Sequence, residues 1–261
     1  MLLVADVGNT ETTIGLFDGD ALHSQWRLTT DVPRTPDEFA LLIRALLDAK
    51  DVSPGRIRGA AIGSVVPGIT AILSDAFGAV TGSRVRTIDG RSALPIRLDV
   101  EEPQSVGADR ILNTLAASHL FKRDCIVVDL GTATTFDCIT GDGVFIGGVI
   151  SPGLQTSAET LFRRTAKLGA TELVPPTAVI GRRTDEAIRS GVVLGTVEQI
   201  EGLVRRIKAA WPRPNPPYVV STGGLAATIA PLCPSIERVI PELTLVGLRL
   251  AWDWLERPSV G

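Results

Sequence analysis

The sequence predicts an α/β protein built from two copies of one domain, and three observations carry that prediction. The opening segment LLVADVGNTETTIGLFDGD returns from Cys125 as CIVVDLGTATTFDCITGDG, with Asp6 and Asp129, Gly8 and Gly131, and Thr12 and Thr135 at matching places. Each copy reads as three strands followed by alternating helices and strands. The chain has 261 residues, enough for two domains of ordinary size. Repetition at half the chain length points to a duplicated domain rather than a solenoid.

In the first copy, strands flank the DVGNT turn, and ALHSQWRLTT (21–30) reads as a third strand. Thr35-Pro36-Asp37-Glu38 combines a capping box with proline at the first helical position. Phe39, Leu42, Ile43, Leu46 and Leu47 then mark one apolar helical face. RGAAIGSVV (58–66) reads as a buried strand, 68–81 as a helix and RVRTID (84–89) as a strand. A helix over 106–122 carries the chain into the second copy. There, strands near 125–131, 133–140 and 143–150 precede helices at 153–168 and 184–211, the latter capped by Thr184. The Pro-rich stretch 212–217 breaks that helix. The strand YVVST (218–222), a short helix, the strand ERVI and a last helix 242–255 close the copy. The predicted domains are 1–118 and 119–261. This order, twice over, is that of the duplicated ribonuclease-H-like fold of the actin and hexokinase type of ATPase, in which nucleotide lies in the cleft between the domains.

Composition removes several function classes. With 26 basic against 29 acidic residues the net charge is −3, without the basic excess of a nucleic-acid binder. The mean hydropathy is +0.24, yet no apolar run approaches the roughly 18–20 residues that cross a bilayer. The start MLLVADVGNT lacks the basic stretch of a secretion signal. Three cysteines (Cys125, Cys138, Cys233) and two histidines (His23, His119), with no CxxC pair, argue against a zinc site or a disulfide framework and suit the cytoplasm. GxxxxGKS/T, GxGxxG and GxSxG are all missing, so phosphate chemistry here needs another device.

The two strand–turn–strand segments offer one. In Asp6-Val7-Gly8-Asn9-Thr10-Glu11-Thr12-Thr13, glycine lets backbone approach a phosphate, and successive N–H groups with the Asn9, Thr10 and Thr13 side chains can donate to its oxygens. Asp6, at the strand end, can hold Mg²⁺ directly or through water. A single such turn is equally what any tight hairpin presents; Asp129-Leu130-Gly131-Thr132-Ala133-Thr134-Thr135 offers the same parts again. Val106-Gly107-Ala108-Asp109-Arg110 starts the linking helix, where a cation and a helix N-terminus keep a carboxylate ionised and able to take a proton from a bound alcohol. Arg110 can grip a substrate carboxylate by a bidentate bond. The same residues also suit an ordinary acidic helix start with a surface ion pair. Gly147–Gly153 and Thr222-Gly223-Gly224 are further strand-to-helix loops whose backbone can line a pocket or simply turn.

Taken together, the chain resembles the type III pantothenate kinases. The resemblance rests on DVGNT (6–10), VGADR (106–110), VVDLGTATT (127–135), GGVISPG (147–153), TDEAIRSG (184–191) and STGG (221–224). It implies ATP-dependent phosphorylation of pantothenate, with Mg²⁺ accompanying ATP. It further implies that Asp6, Val7, Gly8, Asn9, Thr10, Glu11, Thr12 and Thr13 bind the ATP phosphates, that Thr132 contacts nucleotide, and that Asp129 holds a monovalent cation, potassium or ammonium. Asp109 would be the catalytic base. Gly107, Ala108, Asp109 and Arg110 would contact pantothenate, with Thr184 reaching the pocket from the second subunit of a homodimer. The family commonly has tyrosine before the proline preceding VGADR; Val100 occupies that place here, so a pocket-lining phenol is missing. Three other readings stay open on the residues: a kinase of another small hydroxy acid, an actin-like ATPase, and a regulatory homologue without kinase activity.

Overall fold

The computed structural model describes residues 1–165 and 168–257. In the first half, β1 (Leu2–Val7), β2 (Glu11–Asp18) and β3 (Ala21–Thr29) form an antiparallel meander. The expected capping box starts α1 (Pro36–Asp48): the Glu38 N–H donates to Thr35 Oγ1 at 3.3 Å, and the Thr35 N–H donates to the Glu38 carboxylate at 2.7 Å. β4 (Ala60–Ser64), α2 (Pro67–Thr81) and β5 (Val85–Ile88) follow, with β4 parallel to both β1 and β5. The sheet order is β3-β2-β1-β4-β5. A short strand β6 (Arg97–Leu98) and a single 3-10 turn lead into α3 (Ala108–Phe121).

Alternation along β1 assigns its two faces. Leu3, Ala5 and Val7 pack with Phe39 and Ile43 of α1 and Leu73 and Phe77 of α2. Leu2 and Val4 point the other way, into a core shared with Leu112 and Leu115 of α3.

The second half repeats the plan. β7 (Cys125–Leu130), β8 (Ala133–Ile139) and β9 (Val144–Pro152) are antiparallel neighbours, followed by α4 (Leu154–Arg164), α5 (Thr184–Arg189), α6 (Gly195–Ala209), β10 (Tyr218–Thr222), α7 (Ala226–Ile229) and β11 (Arg238–Val239). Its strands lie in the order β11-β10-β7-β8-β9, with β10 parallel to β7 and to β11. Counted from the first strand of each copy, the two orders are the same. Part of the expected helix 153–168 falls on 166–167, outside the described residues. The expected helix 184–211 is helical from Thr184 to Ala209, but a π-helical turn at Ser190–Leu194 divides α5 from α6. Thr184 is the first helical residue rather than the cap. The cap position belongs to Arg183, and the Glu186 carboxylate takes the N–H groups of Arg182 and Arg183 at 2.8 and 3.3 Å.

The last helix, α8 (Leu243–Leu255), corrects the expected boundaries of 1–118 and 119–261. Contacts group it with residues Met1–His119, while Leu120–Glu242 form the other unit. The reason is its apolar stripe: Leu245, Leu248, Ala251 and Trp252 fill the core on the Leu2 and Val4 face of the first sheet. Gly59 makes this possible, because a methyl group there would strike the Trp252 ring. Arg58–Asp253 at 3.3 Å and Arg86–Glu256 at 2.6 Å add solvent-facing ion pairs, which contribute little by comparison. Trp252→Ala is therefore expected to lower unfolding stability by about 3–5 kcal/mol, as loss of a buried aromatic does, whereas Arg58→Ala should cost less than about 1 kcal/mol. Urea denaturation followed by circular dichroism measures both.

Candidate active site

In the first unit, the chemistry-bearing residues gather where β1 and β4 end. Asp6 continues the Leu2–Val4 row, so it lies on the sheet face that α3 and α8 cover, and it is half-buried. Its partners in register are Thr13 on β2 and Gly63 on β4. Gly63 has no side chain, and α3 closes over it: a methyl group there would sit 2.5 Å from Leu112 Cδ1 and 3.8 Å from Ala108 Cβ. One residue further, the Val65 N–H donates to the Val7 carbonyl at 3.1 Å, and Val65 packs beside Gly107. The start of α3, with Asp109, is thereby set at the same sheet corner as Asp6.

The turn after Asp6 is braced from β3. The Gly8 N–H donates to Glu11 O at 3.0 Å, and the Thr30 N–H donates to Thr10 O at 2.9 Å. Asn9 and Thr10 project into solvent, Thr13 is half-buried opposite Asp6, and Glu11 faces Arg27 at 3.9 Å. The side chains of two residues in the expected phosphate loop are engaged elsewhere. Val7 is buried in the α1–α2 core, and the fully buried Thr12 has its hydroxyl bonded to that of Thr30 at 2.8 Å, so both can offer only backbone.

At the start of α3, Asp109 Oδ1 accepts the Arg110 N–H at 2.9 Å, and Gly107 is required because a side chain there would strike that oxygen. Burial raises the Asp109 carboxyl above the usual aspartate range and outweighs the opposing Arg110 N–H and Arg110 charge. The sequence expectation, in which the cation and helix start alone set its ionisation, is corrected by that desolvation. Arg110 is half-buried, whereas Ala108 is 4% exposed and packs over Gly63, so its side chain faces the sheet rather than a ligand. Val100 is half-buried in the irregular segment after β6.

In the second unit, Asp129 ends β7 beside Thr135 of β8 and Thr222 of β10. Glycines enclose it: a Cβ on Gly223 would lie 2.5 Å from Asp129 Oδ1, and one on Gly131 would lie 3.8 Å away. Gly223 adopts φ 93°, which favours glycine, and the Leu225 N–H donates to Leu130 O at 3.2 Å. Thr132 is exposed at the turn, and its carbonyl accepts the Gly153 N–H at 3.1 Å and the Thr156 hydroxyl at 2.6 Å. Thr184 is exposed at the first position of α5.

The two turns are not identical. Register pairs Val7 with Thr12 but Leu130 with Thr134, making the second turn one residue shorter. The structural counterpart of Thr12 is therefore Thr134, not Thr135, and both are buried. Sequence reading missed the supports: Gly63 carried a signal, as a glycine inside a strand pattern, while Thr30 and Thr156 carried none.

Comparison with known proteins identifies relatives of the whole chain. A family model described as type III pantothenate kinase matches residues 2–206. The type III pantothenate kinase of Thermomicrobium roseum is 42% identical over 257 residues, covering 98% of each chain. That of Roseiflexus sp. is 42% identical over 253 residues, covering 97% of this chain and 98% of its own. Among solved structures, the (R)-2-hydroxyglutaryl-CoA dehydratase component A of Acidaminococcus fermentans superposes with a TM-score of 0.54 at 13% identity, covering 96% of this chain and 95% of its own, a likeness of fold alone. By sequence over nearly its full length, the chain belongs to the type III pantothenate kinase family.

Proposed function

We propose that the chain transfers the γ-phosphoryl group of ATP to the primary alcohol of pantothenate, giving 4′-phosphopantothenate for coenzyme A synthesis. The observation that carries the reading is the placement of the Asp6 turn and Asp109 at one corner of the first sheet, in a chain of this family. Phosphoryl transfer asks a protein mainly for alignment and for neutralisation of charge. The exposed Asn9–Thr10 backbone with the Asn9, Thr10 and Thr13 side chains grips the phosphates, and Thr132 contacts nucleotide. The Asp109 Oδ2 oxygen, its partner Oδ1 being held by the Arg110 N–H, faces the alcohol. The alcohol oxygen bonds to the γ-phosphorus, the bond to the β,γ-bridging oxygen breaks, ADP leaves, and the hydroxyl proton passes to Asp109. Gly107 and Arg110 hold pantothenate at the start of α3, Val100 lines its pocket, and Thr184 reaches it from the second subunit of a homodimer.

Among the described residues no group of three His, Cys, Asp or Glu side chains gathers as a metal cage. That donor set suits Mg²⁺, which keeps its waters and takes one or two carboxylates plus substrate phosphates. Asp6 would hold it, and it would supply neutralisation of phosphate charge. Asp129, which Gly223 and Gly131 let backbone approach closely, would hold the monovalent cation, potassium or ammonium, that the family resemblance implies. No helix among the described residues is long and apolar enough to cross a membrane. A kinase of another small hydroxy acid is the second reading, favoured by Val100 where the family commonly has tyrosine.

Pantothenate-dependent ADP release tests the proposal: release unchanged by pantothenate but raised by another hydroxy acid would transfer it to the second reading. Asp109→Asn is expected to lose about 10²-fold or more in turnover, the size of a general-base contribution. Because burial raises the Asp109 pKa, the ionised carboxylate destabilises the fold above that pKa, and wild-type turnover falls as pH drops through it. Asp109→Asn should therefore melt at a higher temperature than wild type at neutral pH, with the gap closing as pH approaches about 4. Scanning calorimetry across pH checks the sign. Exchanging potassium for a bulky tetraalkylammonium ion should lower turnover in wild type, and Asp129→Asn should show no such response in a potassium titration.

A further inference from the structure

Asp109 and Asn113 are one helical turn apart and share a face of α3, about 6 Å along its axis. Asn113 is fully buried and its Oδ1 accepts the hydroxyl of Thr244 at 3.0 Å, a bond linking α3 to the start of α8. Three residues along α8, on the same face as Thr244, Gly247 presses its bare Cα against the Leu112 carbonyl, where a side chain would collide. On its other side Leu112 meets Gly63 of β4, which Leu248 also approaches. The first turns of α3 are thus gripped between a strand and a helix by contacts that leave no room for a side chain, and the buried polar bond fixes where along its axis the helix stops.

We infer that Thr244 and Asn113, with Gly247, are positioning residues that set the axial placement of α3 and through it the placement of the Asp109 carboxylate. The inference rests on the reading of Asp109 as the base and adds to it residues that touch no substrate. Hydrophobic packing of α3 on the sheet is tolerant of small slides, because apolar contact is non-directional. A hydrogen bond between two buried polar groups is not tolerant: a slide breaks it and leaves the Asn113 acceptor without that donor in the core. Alignment matters in this reaction, where a displacement of about 1 Å can lose 10²-fold in rate.

The experiment compares Thr244→Val, which keeps shape but removes the hydroxyl, with Thr244→Ser, which restores it, and with Gly247→Ala. Phe77→Leu, in the core on the opposite face of the sheet, is the control for general loss of stability. Pantothenate-dependent ADP release is measured for each over a range of pH, together with Tm and KM for ATP. Thr244→Val and Gly247→Ala are expected to lose roughly tenfold in kcat with KM for ATP unchanged. In Thr244→Val the acid limb of the pH profile should move toward the ordinary aspartate value, as Asp109 becomes better solvated. Thr244→Ser should recover most of the turnover and the pH profile, and Phe77→Leu should lose Tm but keep kcat. If Gly247→Ala does not fold, Thr244→Val with its serine rescue decides alone. Wild-type kcat and pH profile in Thr244→Val, beside an inactive Asp109→Asn, would overturn the positioning role alone. So would a loss of kcat in Phe77→Leu equal to that in Thr244→Val. Wild-type turnover in Asp109→Asn would instead overturn the base reading itself.

Discussion

Helix α3 can rest on the first sheet only because Gly63 beneath it and Gly247 beside it have no side chains. That close approach places Ala108 over the strand position next to Asp6, and it buries the start of the helix that carries Asp109. Burial is also what raises the Asp109 pKa, so one steric fact sets both where the carboxylate stands and how readily it takes a proton. The turn at Gly8 and the register between β1 and β4 are downstream of it. They bring the exposed Asn9–Thr10 turn to a corner that the helix has already defined. A larger residue at Gly63 would lift α3, admit water and undo both properties together.

The C-terminal helix completes that corner from the far end of the chain. α8 closes over the Leu2–Val4 face and supplies Thr244 and Gly247 to α3, so residues near position 245 determine the setting of a residue at 109. Arg249 secures the helix further along. Its guanidinium bonds Asp20 at 2.7 Å and Asp253 at 2.9 Å and lies 5.9 Å from the centre of the Phe17 ring. The turn between β2 and β3 and the end of α8 are thereby held together, on the same face that bears Asp6. Stability and site geometry share one core here, which is why the apolar stripe of α8 belongs with the first unit.

Much of this was legible in the sequence because it rests on local signals. Thr35 and Glu38 announced the start of α1, apolar spacing gave its buried face, and the DVGNT and DLGTATT echoes located both strand-end turns. What the sequence hid was long-range. Nothing in LTLVGLRLAWDWL says which sheet its stripe will cover, since an amphipathic pattern specifies a face and not a partner. Thr12 reads as one member of a hydroxyl-rich loop, and only the fold shows its hydroxyl bonded to that of Thr30. Asp109 reads as an ionised helix-start acid, and only the overlying packing shows that desolvation dominates. The family motifs include Gly107, Gly131, Gly153 and Gly223, but not Gly63, Gly247, Thr30 or Thr244, whose contacts are long-range.

The two copies differ in how the turn after their first strand is built. The first turn, a residue longer, lifts Asn9 and Thr10 into solvent and is tied by the Gly8 N–H to Glu11 O and by the Thr30 N–H to Thr10 O. The second is shorter and is clamped on its carbonyls by Gly153 and Thr156, while Gly223 closes on the carboxylate of Asp129. A longer turn with projecting donors can wrap around a multiply charged group whose position changes during reaction. A short turn with engaged carbonyls and a glycine-lined carboxylate presents fixed negative charge, the requirement of a stationary cation. Constant spacing between the echoes breaks inside the turn, where the second copy is one residue shorter, and their strands, which share one packing problem, still match residue for residue up to it.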